Sequence, residues 1–524
     1  MDTEVSIERA EFVDWRGKRA SAKKHGGVRA AAFTCAVEVM ENLVFLSNAT
    51  NFISYFTHSM HYPIAEAANM TTNFMGTAFL FPLFGGFIGD AFLTRFKTFV
   101  LFCSLELLGL ILLTIQAHEP GLQPSGTKTP NRSQAAILYA GLYAMAIGVG
   151  GVKAALPAHG ADQIEQSDQR AISAFFNWFF FSLCNGGLIT STVMVWVEEN
   201  LGWNWSFRIS LVVLGLGLLV FVGAFPIYRY KLPSGSAFTR IYTVFASAFQ
   251  NWKVSPTQVA NNYSFVGMNS LRTDGKSNDK FKFLDKALVD NKISASDVEE
   301  TKTFIGLLPI FASTIMMSCC LAQLQTFTVQ QGAIMNRDIR GFKIPTQSLS
   351  VFPLFFMLAS IPLYEHSVHL FGAKSLSMFQ PLRRIGIGLA LASASMAAAA
   401  LVESRRRAEQ LSGTTISVFW LVWQYMLLGV SDMFTLGGML EFFYSEAPDK
   451  MRSMCTALSW CSTSMGYFLS SVLVSVTNSA SGRTGKKWLG GNDLNHNRAD
   501  LYYTLLCILN FINLLNYIYW AKKF

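Results

Sequence analysis

The stretch Phe33-Thr-Cys-Ala-Val-Glu38-Val-Met-Glu41-Asn42-Leu-Val-Phe45-Leu decides which folds this chain can adopt. It lies inside an apolar run from about Ala30 to Phe56, long enough to cross a hydrocarbon layer as one helix. Glu38 and Glu41 are three residues apart, so on a helix both carboxyls share one face. At bilayer depth each ionisable group costs about 2.5–3.5 kcal/mol on insertion scales. A pair on one face points to a proton relay, a solute path or a structural ion pair.

Working outward, apolar runs of spanning length recur about twelve times, and the first of them serves as its own targeting signal because Met1–His25 is polar and charged. The chain is 51% hydrophobic and 14% charged, against roughly 25% charged for soluble domains. The expectation is an all-α membrane protein in two six-helix halves: residues 30–228 and 303–524, with a polar segment 1–29 before them and a linker 229–302 between them. In the linker, Ile241, Val244, Phe245, Ala248, Phe249 and Trp252 repeat at helical spacing, as in an amphipathic helix at the inner membrane surface. Asn261–Asn278 is polar, and Asn291–Lys302 is acidic and leads helically into span seven.

The net charge of +9 reads as membrane orientation, not nucleic-acid binding. Arg16, Lys18, Arg19, Lys23 and Lys24, then Arg95 and Lys97, Arg383 and Arg384, and Lys522 and Lys523 place both termini in the cytosol. Arg405-Arg406-Arg407 falls on the outside by the same count and opposes the rule. The eight cysteines (35, 103, 184, 319, 320, 455, 461 and 507) fall within spans without metal-ligand spacing, so they read as small core residues; no metal or cofactor is expected. Asn131-Arg-Ser133 is a glycosylation acceptor pattern in an outside loop. Walker loop, zincin and nucleophile-elbow patterns are absent, which argues against an enzyme. Ala140, Ala144 and Gly148 in span four, and Ser459, Thr463 and Gly466 in span eleven, form small-residue stripes for close helix packing.

Four spans supply polar groups that lipid does not tolerate: Glu38 and Glu41 in span one, Lys153 in span four, Gln323 and Gln325 in span seven, and Glu441 in span ten. If these helices face one cavity, a lysine meets carboxylates and an anionic solute can compete for it. Burial favours a protonated carboxyl and a nearby cation favours the ionised one, so substrate and proton can bias one two-state equilibrium. A static Glu41–Lys153 pair that orients two helices is the structural alternative. Gly85-Gly-Phe-Ile-Gly-Asp90-Ala-Phe-Leu-Thr-Arg95-Phe-Lys97 closes span two with a charge cluster suited to latching an inner gate.

These residues resemble a known family. The Asp90…Arg95 turn is similar to the gating motif of the major facilitator superfamily, and Glu38-Val-Met-Glu41 to the first-span ExxE[K/R] motif of the proton-dependent oligopeptide transporter family. Lys153 in Gly148-Val-Gly-Gly-Val-Lys153, the run Phe175-Phe-Asn-Trp-Phe-Phe-Phe-Ser182, and Glu441-Phe-Phe-Tyr-Ser-Glu-Ala-Pro-Asp-Lys-Met-Arg-Ser453 resemble its plant nitrate/peptide branch, over nearly the whole chain. Asp14-Trp-Arg-Gly17, Asn73-Phe-Met-Gly-Thr77 and Leu156-Pro-Ala-His-Gly-Ala-Asp-Gln163 look most like its fourth subfamily.

The resemblance implies twelve helices, alternating access, and secondary-active import of abscisic acid, with gibberellins as further substrates, driven by protons or by weak-acid trapping. It implies Glu38, Glu41 and Glu441 as proton-coupling groups, Lys153, Asn42, Gln323 and Gln325 as substrate contacts, and Asp90 and Arg95 as gate. The expected partners are a small carboxylic acid, protons and the membrane, here the plasma membrane. Two positions depart from the family: Asn42 replaces the motif's cation, and Leu321 stands where the nitrate-transporting relative has histidine. Phe45, Tyr55, Phe79, Trp178, Phe327 and Trp423 are the aromatic candidates for covering a hormone's ring. Transport of another organic anion, nitrate or peptide, and sensing without transport, remain alternatives.

Overall fold

Short polar side chains set where the helices begin. Asn131 Oδ1 accepts the backbone N–H of Gln134 at 2.9 Å, and Gln134 Oε1 accepts that of Asn131 at 3.0 Å. Such a cap stabilises a helix start by about 1 kcal/mol. Thr94 caps Lys97 and Asp168 caps Ala171 by the same chemistry. The glycosylation-like tripeptide therefore has a structural use for its asparagine.

The computed structural model describes residues 12–21, 24–62, 64–124, 129–233, 235–253, 281–290, 293–325, 327–339, 342–344, 347–376, 380–483, 488–489 and 497–524. In the first half run α1 (Gly27–Ser54), α2 (Ile64–Leu80), α3 (Pro82–Ala91), α4 (Arg95–His118), α5 (Arg132–Asp162), α6 (Gln169–Ile189), α7 (Val195–Leu201) and α8 (Trp203–Gly223). The linker carries α9 (Ala237–Gln250). The second half holds α10 (Ala295–Gln325), α11 (Phe327–Ala333), α12 (Val351–Leu376), α13 (Pro381–Leu411), α14 (Val422–Ser445), α15 (Arg452–Arg483) and α16 (Ala499–Lys523). The helix of span seven thus begins at Ala295, inside the acidic end of the linker. The polar stretch 261–278 lies outside the described residues.

Among the described residues, eleven segments are long and apolar enough to cross a membrane. Helix α15, the remaining expected crossing, is less apolar because its buried face is built from Ser453, Thr456, Ser459, Ser462 and Ser464. Small polar side chains let helices approach closely, and protein, not lipid, surrounds them.

Among the described residues, two two-stranded sheets complete the fold. β1 (Phe12–Val13) pairs antiparallel with β2 (Tyr230–Lys231), joining the chain before α1 to the chain after α8. β3 (Asp338–Ile339) pairs with β4 (Phe342–Lys343). The end of the bundle where the linker emerges is called the linker end below. There Gly26 and Gly27 hold φ of +78° and +80°, and their N–H groups donate to Ile227 O at 2.8 Å and Gln163 O at 2.7 Å. Side chains rarely adopt that backbone, so glycine is required.

Helix α5 packs on α4 through glycine. A Cβ on Gly151 would sit 1.9 Å from the Phe102 ring, and one on Gly148 would sit 2.5 Å from Glu106 N. The seam is therefore Gly141, Gly148 and Gly151, not the expected Ala140–Ala144–Gly148 stripe, and Ala140 faces outward. The bulk of Phe102 and Glu106 forces this choice. Gly466 meets Ser318 of α10 closely, as its stripe in span eleven anticipates.

Two expectations about charged and aromatic residues change. The outer triple arginine is largely paired: Arg406 is buried and pairs with Glu403 at 2.8 Å, Arg407 pairs with Asp500 at 2.8 Å, and Arg405, which stays exposed, lies 4.3 Å from the Trp420 ring centre. Paired charges do not orient a helix as free ones do, so two of the three arginines no longer oppose the positive-inside rule. On α9, Val244 and Ala248 turn inward against Leu284, Ala287 and Val298. Phe238, Tyr242, Phe245, Phe249 and Trp252 make the exposed face instead.

Candidate functional site

Lys153 is buried midway along the glycine-rich part of α5, and its Nζ lies 3.3 Å from Glu41 Oε2 of α1. Two aromatic faces flank the ammonium: the Phe45 ring centre is 4.7 Å away and that of Trp460 is 4.9 Å away. Such contacts are worth about 0.5–2 kcal/mol each. Trp460 stacks on Phe79 at 6.0 Å, and Phe79 in turn on Tyr467 at 6.5 Å. Lys153 thus sits where α1, α2 and α5 of one half meet α15 of the other. Glu38 is buried one turn from Glu41, with one carboxyl oxygen unpartnered.

Glu441 belongs to a second centre. Arg384 of α13 donates to Glu441 at 2.6 Å and to Asn177 of α6 at 2.8 Å, and its guanidinium lies 4.7 Å from the Tyr364 ring centre. Asn177 also donates to Glu365 of α12. Arg384, read from the sequence as a topogenic charge, is instead a buried cation that links the two halves. A basic residue at the start of a span carries no signal to tell these roles apart.

Asp90 and Arg95 pair at 3.2 Å at the linker end, and Arg95 pairs with Asp162 at 2.5 Å. Both acids reach across to the second half: Asp90 accepts the Met454 N–H at 3.0 Å, and Asp162 accepts the Tyr444 hydroxyl at 2.9 Å. Arg452 donates to Gln166 and lies 5.0 Å from the Tyr444 ring centre. Lys231 stands 3.9 Å from Asp449 beside this cluster. Burial, with Arg95 and Arg452 nearby, holds Lys231 below the usual lysine range, and Asp162 and Asp449 oppose the shift. The halves are therefore latched at the linker end. Asp162 is the hub, and the sequence reading had not given it a gating role.

Other expected contacts point elsewhere. Asn42 donates to Leu183 O at 2.7 Å and so cross-links α1 to α6. Gln323 donates to Ser470 Oγ at 3.0 Å, between α10 and α15. The side chain of Gln325 lies outside the described residues. Trp178 and Trp423 are exposed on the outer surface, Tyr55 packs on Trp203 and Phe207, and Phe327 packs on Tyr502. Phe45 and Phe79 do line the Lys153 site; Trp460 and Tyr467, missed in sequence, join them. Among the described residues no cluster of His, Cys, Asp and Glu is arranged to hold a metal, and all eight cysteines are free thiols.

Residues 96–489 match the model of the POT family. The chain is 54% identical over 522 residues to Protein NRT1/PTR FAMILY 4.2 of Arabidopsis thaliana, covering 98% of this chain and 99% of that one. It is 55% identical over 529 residues to Protein NRT1/PTR FAMILY 4.1 of the same plant, covering 99% and 100%. Its fold matches the crystal structure of the POT family transporter PepTSo with a TM-score of 0.67 at 18% identity, over 94% of this chain and 98% of the other.

Proposed function

This chain belongs to the POT family of membrane transporters, and on that premise we propose that it imports abscisic acid, and gibberellins as further substrates, coupled to protons. The observation that carries the reading is Lys153: a buried cation, 3.3 Å from one carboxylate and held between two aromatic faces. A carboxylic acid with an apolar ring body needs such a pairing of one fixed charge with aromatic walls. The likeness of the sequence to the fourth plant subfamily supports the choice of hormone.

The mechanism follows from charge. Removing one partner of a buried ion pair costs about 3–5 kcal/mol, so Lys153 leaves Glu41 only when another anion replaces it. The substrate carboxylate takes Lys153, and Glu41 is neutralised by a proton. Each ligand then stabilises the same change of state, which is what coupling requires. Glu38 shares the face of Glu41 as a second proton site, and Glu441 answers to Arg384 where the halves meet. Release follows when Asp90, Arg95 and Asp162 let go of the second half at the linker end, which the positive-inside pattern puts in the cytosol of a plasma-membrane protein.

The test is uptake of labelled abscisic acid in a heterologous cell at two external pH values, against gibberellin, nitrate and dipeptide competitors. Saturable uptake competed by gibberellin but not by nitrate or dipeptide is expected. Saturable binding to membranes without accumulation would replace the transporter reading with a sensor.

A further inference from the structure

The carboxyl of Glu106 has no part in the scheme above. It lies halfway along α4 in the apolar run Ser104-Leu-Glu106-Leu-Leu-Gly109 and is fully buried, and neither carboxyl oxygen has a hydrogen-bond partner. Leaving such a group unpaired is costly, so its presence calls for an explanation. Gly148 admits it: a Cβ there would stand 2.6 Å from the Glu106 Cβ. The acid is therefore pressed against the helix that carries Lys153.

The charged groups in electrostatic reach of Glu106 are Glu38 and Glu41 of α1 and Lys153 of α5, with the Cys103 thiol on its own helix. Helix α3 also packs on α4, but its Asp90 is bound to Arg95 at the linker end. Helix α8 brings Arg208, which meets His118 at the far end of α4. Tyr230 and Lys231 of β2 stay at the linker end. Glu41 alone is paired with Lys153, Glu38 and Glu106 stand within electrostatic reach of the same ammonium, and Asn42 adds no second cation.

We propose that Glu106 is a proton-binding residue of the transport cycle, a third carboxyl that shares Lys153 with Glu38 and Glu41. The proposal rests on the reading of Lys153 and Glu41 as the coupling pair. All three acids ionised would leave two uncompensated charges in a closed site, which burial strongly disfavours. Neutrality with Lys153 on Glu41 needs protons on Glu38 and Glu106. When a substrate anion occupies Lys153, Glu41 must also take a proton. The cluster then alternates between two and three bound protons, one gained per anion bound and released with it, and the three acids exchange that proton as one coupled set, so that loss of the Glu106 site changes the proton affinity of Glu41.

Two measurements test this on the full-length protein. In nanodiscs, N,N′-dicyclohexylcarbodiimide, which adds to buried protonated carboxyls, is applied between about pH 5 and 9, and adducts are located by peptide mass spectrometry. An adduct on Glu106 that declines as pH rises is expected. No adduct at any pH, in protein whose Glu38 is labelled, overturns the proposal. In cells, Glu106→Gln is expected to move the midpoint of the uptake pH profile by about one unit or more, with Glu106→Asp restoring it. A superimposable profile overturns the proposal. The labelling arm needs no substrate, so it is read even if the hormone assignment fails. Normal uptake by Lys153→Ala would remove the coupling pair without touching the labelling result.

Discussion

Lys153 lies between Glu41, Phe45 and Trp460, and single substitutions separate its charge, its aromatic wall and the packing of its helix. Lys153→Ala should abolish saturable uptake while the protein still reaches the membrane, as read by surface biotinylation beside the uptake assay. Trp460→Leu should leave turnover nearly intact and raise the apparent KM by about tenfold, the size of one lost aromatic contact. Gly151→Leu should cost about 3 kcal/mol or more, because its Cβ would stand 1.9 Å from the Phe102 ring. Thermal unfolding in detergent measures that loss. Glu38, Glu41 and Lys153 were legible because a charge inside an apolar run is conspicuous. Glu106, a lone acid among leucines, carries the same signal, but with no second charge near it on its span the sequence does not tie it to the others. Arg384 was illegible, since a basic pair at the head of a span looks like an orientation signal until its partner is known.

At the scale of elements, hydropathy located the spans well and explained their surfaces less well. Helix α15 shows why: its apolarity falls where Ser, Thr and Cys face protein. Helix α13 shows the converse, with two of its three consecutive arginines paired with Glu403 and Asp500. Glu403→Gln should destabilise the protein by about 3–5 kcal/mol, because Arg406 would remain buried with its carboxylate gone. Replacing both, as Glu403→Leu with Arg406→Met, should cost less than the single change. Melting curves of the two variants compare them directly. In α9 the helical period was legible, yet the choice of inward residues was not, because it depends on Leu284 and Val298 far along the chain.

The whole molecule turns on contacts between halves that sequence spacing cannot reveal, such as Asp90 with Met454 and Asp162 with Tyr444. The two-half plan was readable from the polar break; the hub at Asp162 was not. Asp162→Asn should weaken the latch by removing one of the two carboxylates paired with Arg95 and leaving Tyr444 a neutral, weaker acceptor. Cys455, buried beside the Met454–Asp90 bond, is a native reporter of that opening. In inside-out vesicles its labelling by a membrane-impermeant maleimide should speed up several-fold in the variant. An unchanged rate would mean that Asp162 does not hold the gate.

The clasp of β1 on β2 brings the start of the first six helices back to their finish, and the flanks of residues 254–280 also meet, with the Phe283 ring 5.2 Å from that of Trp252. Covalent continuity across that stretch is then dispensable. Two co-expressed polypeptides, one stopping after residue 253 and one starting at 281, should find each other, co-purify and carry solute as the intact protein does.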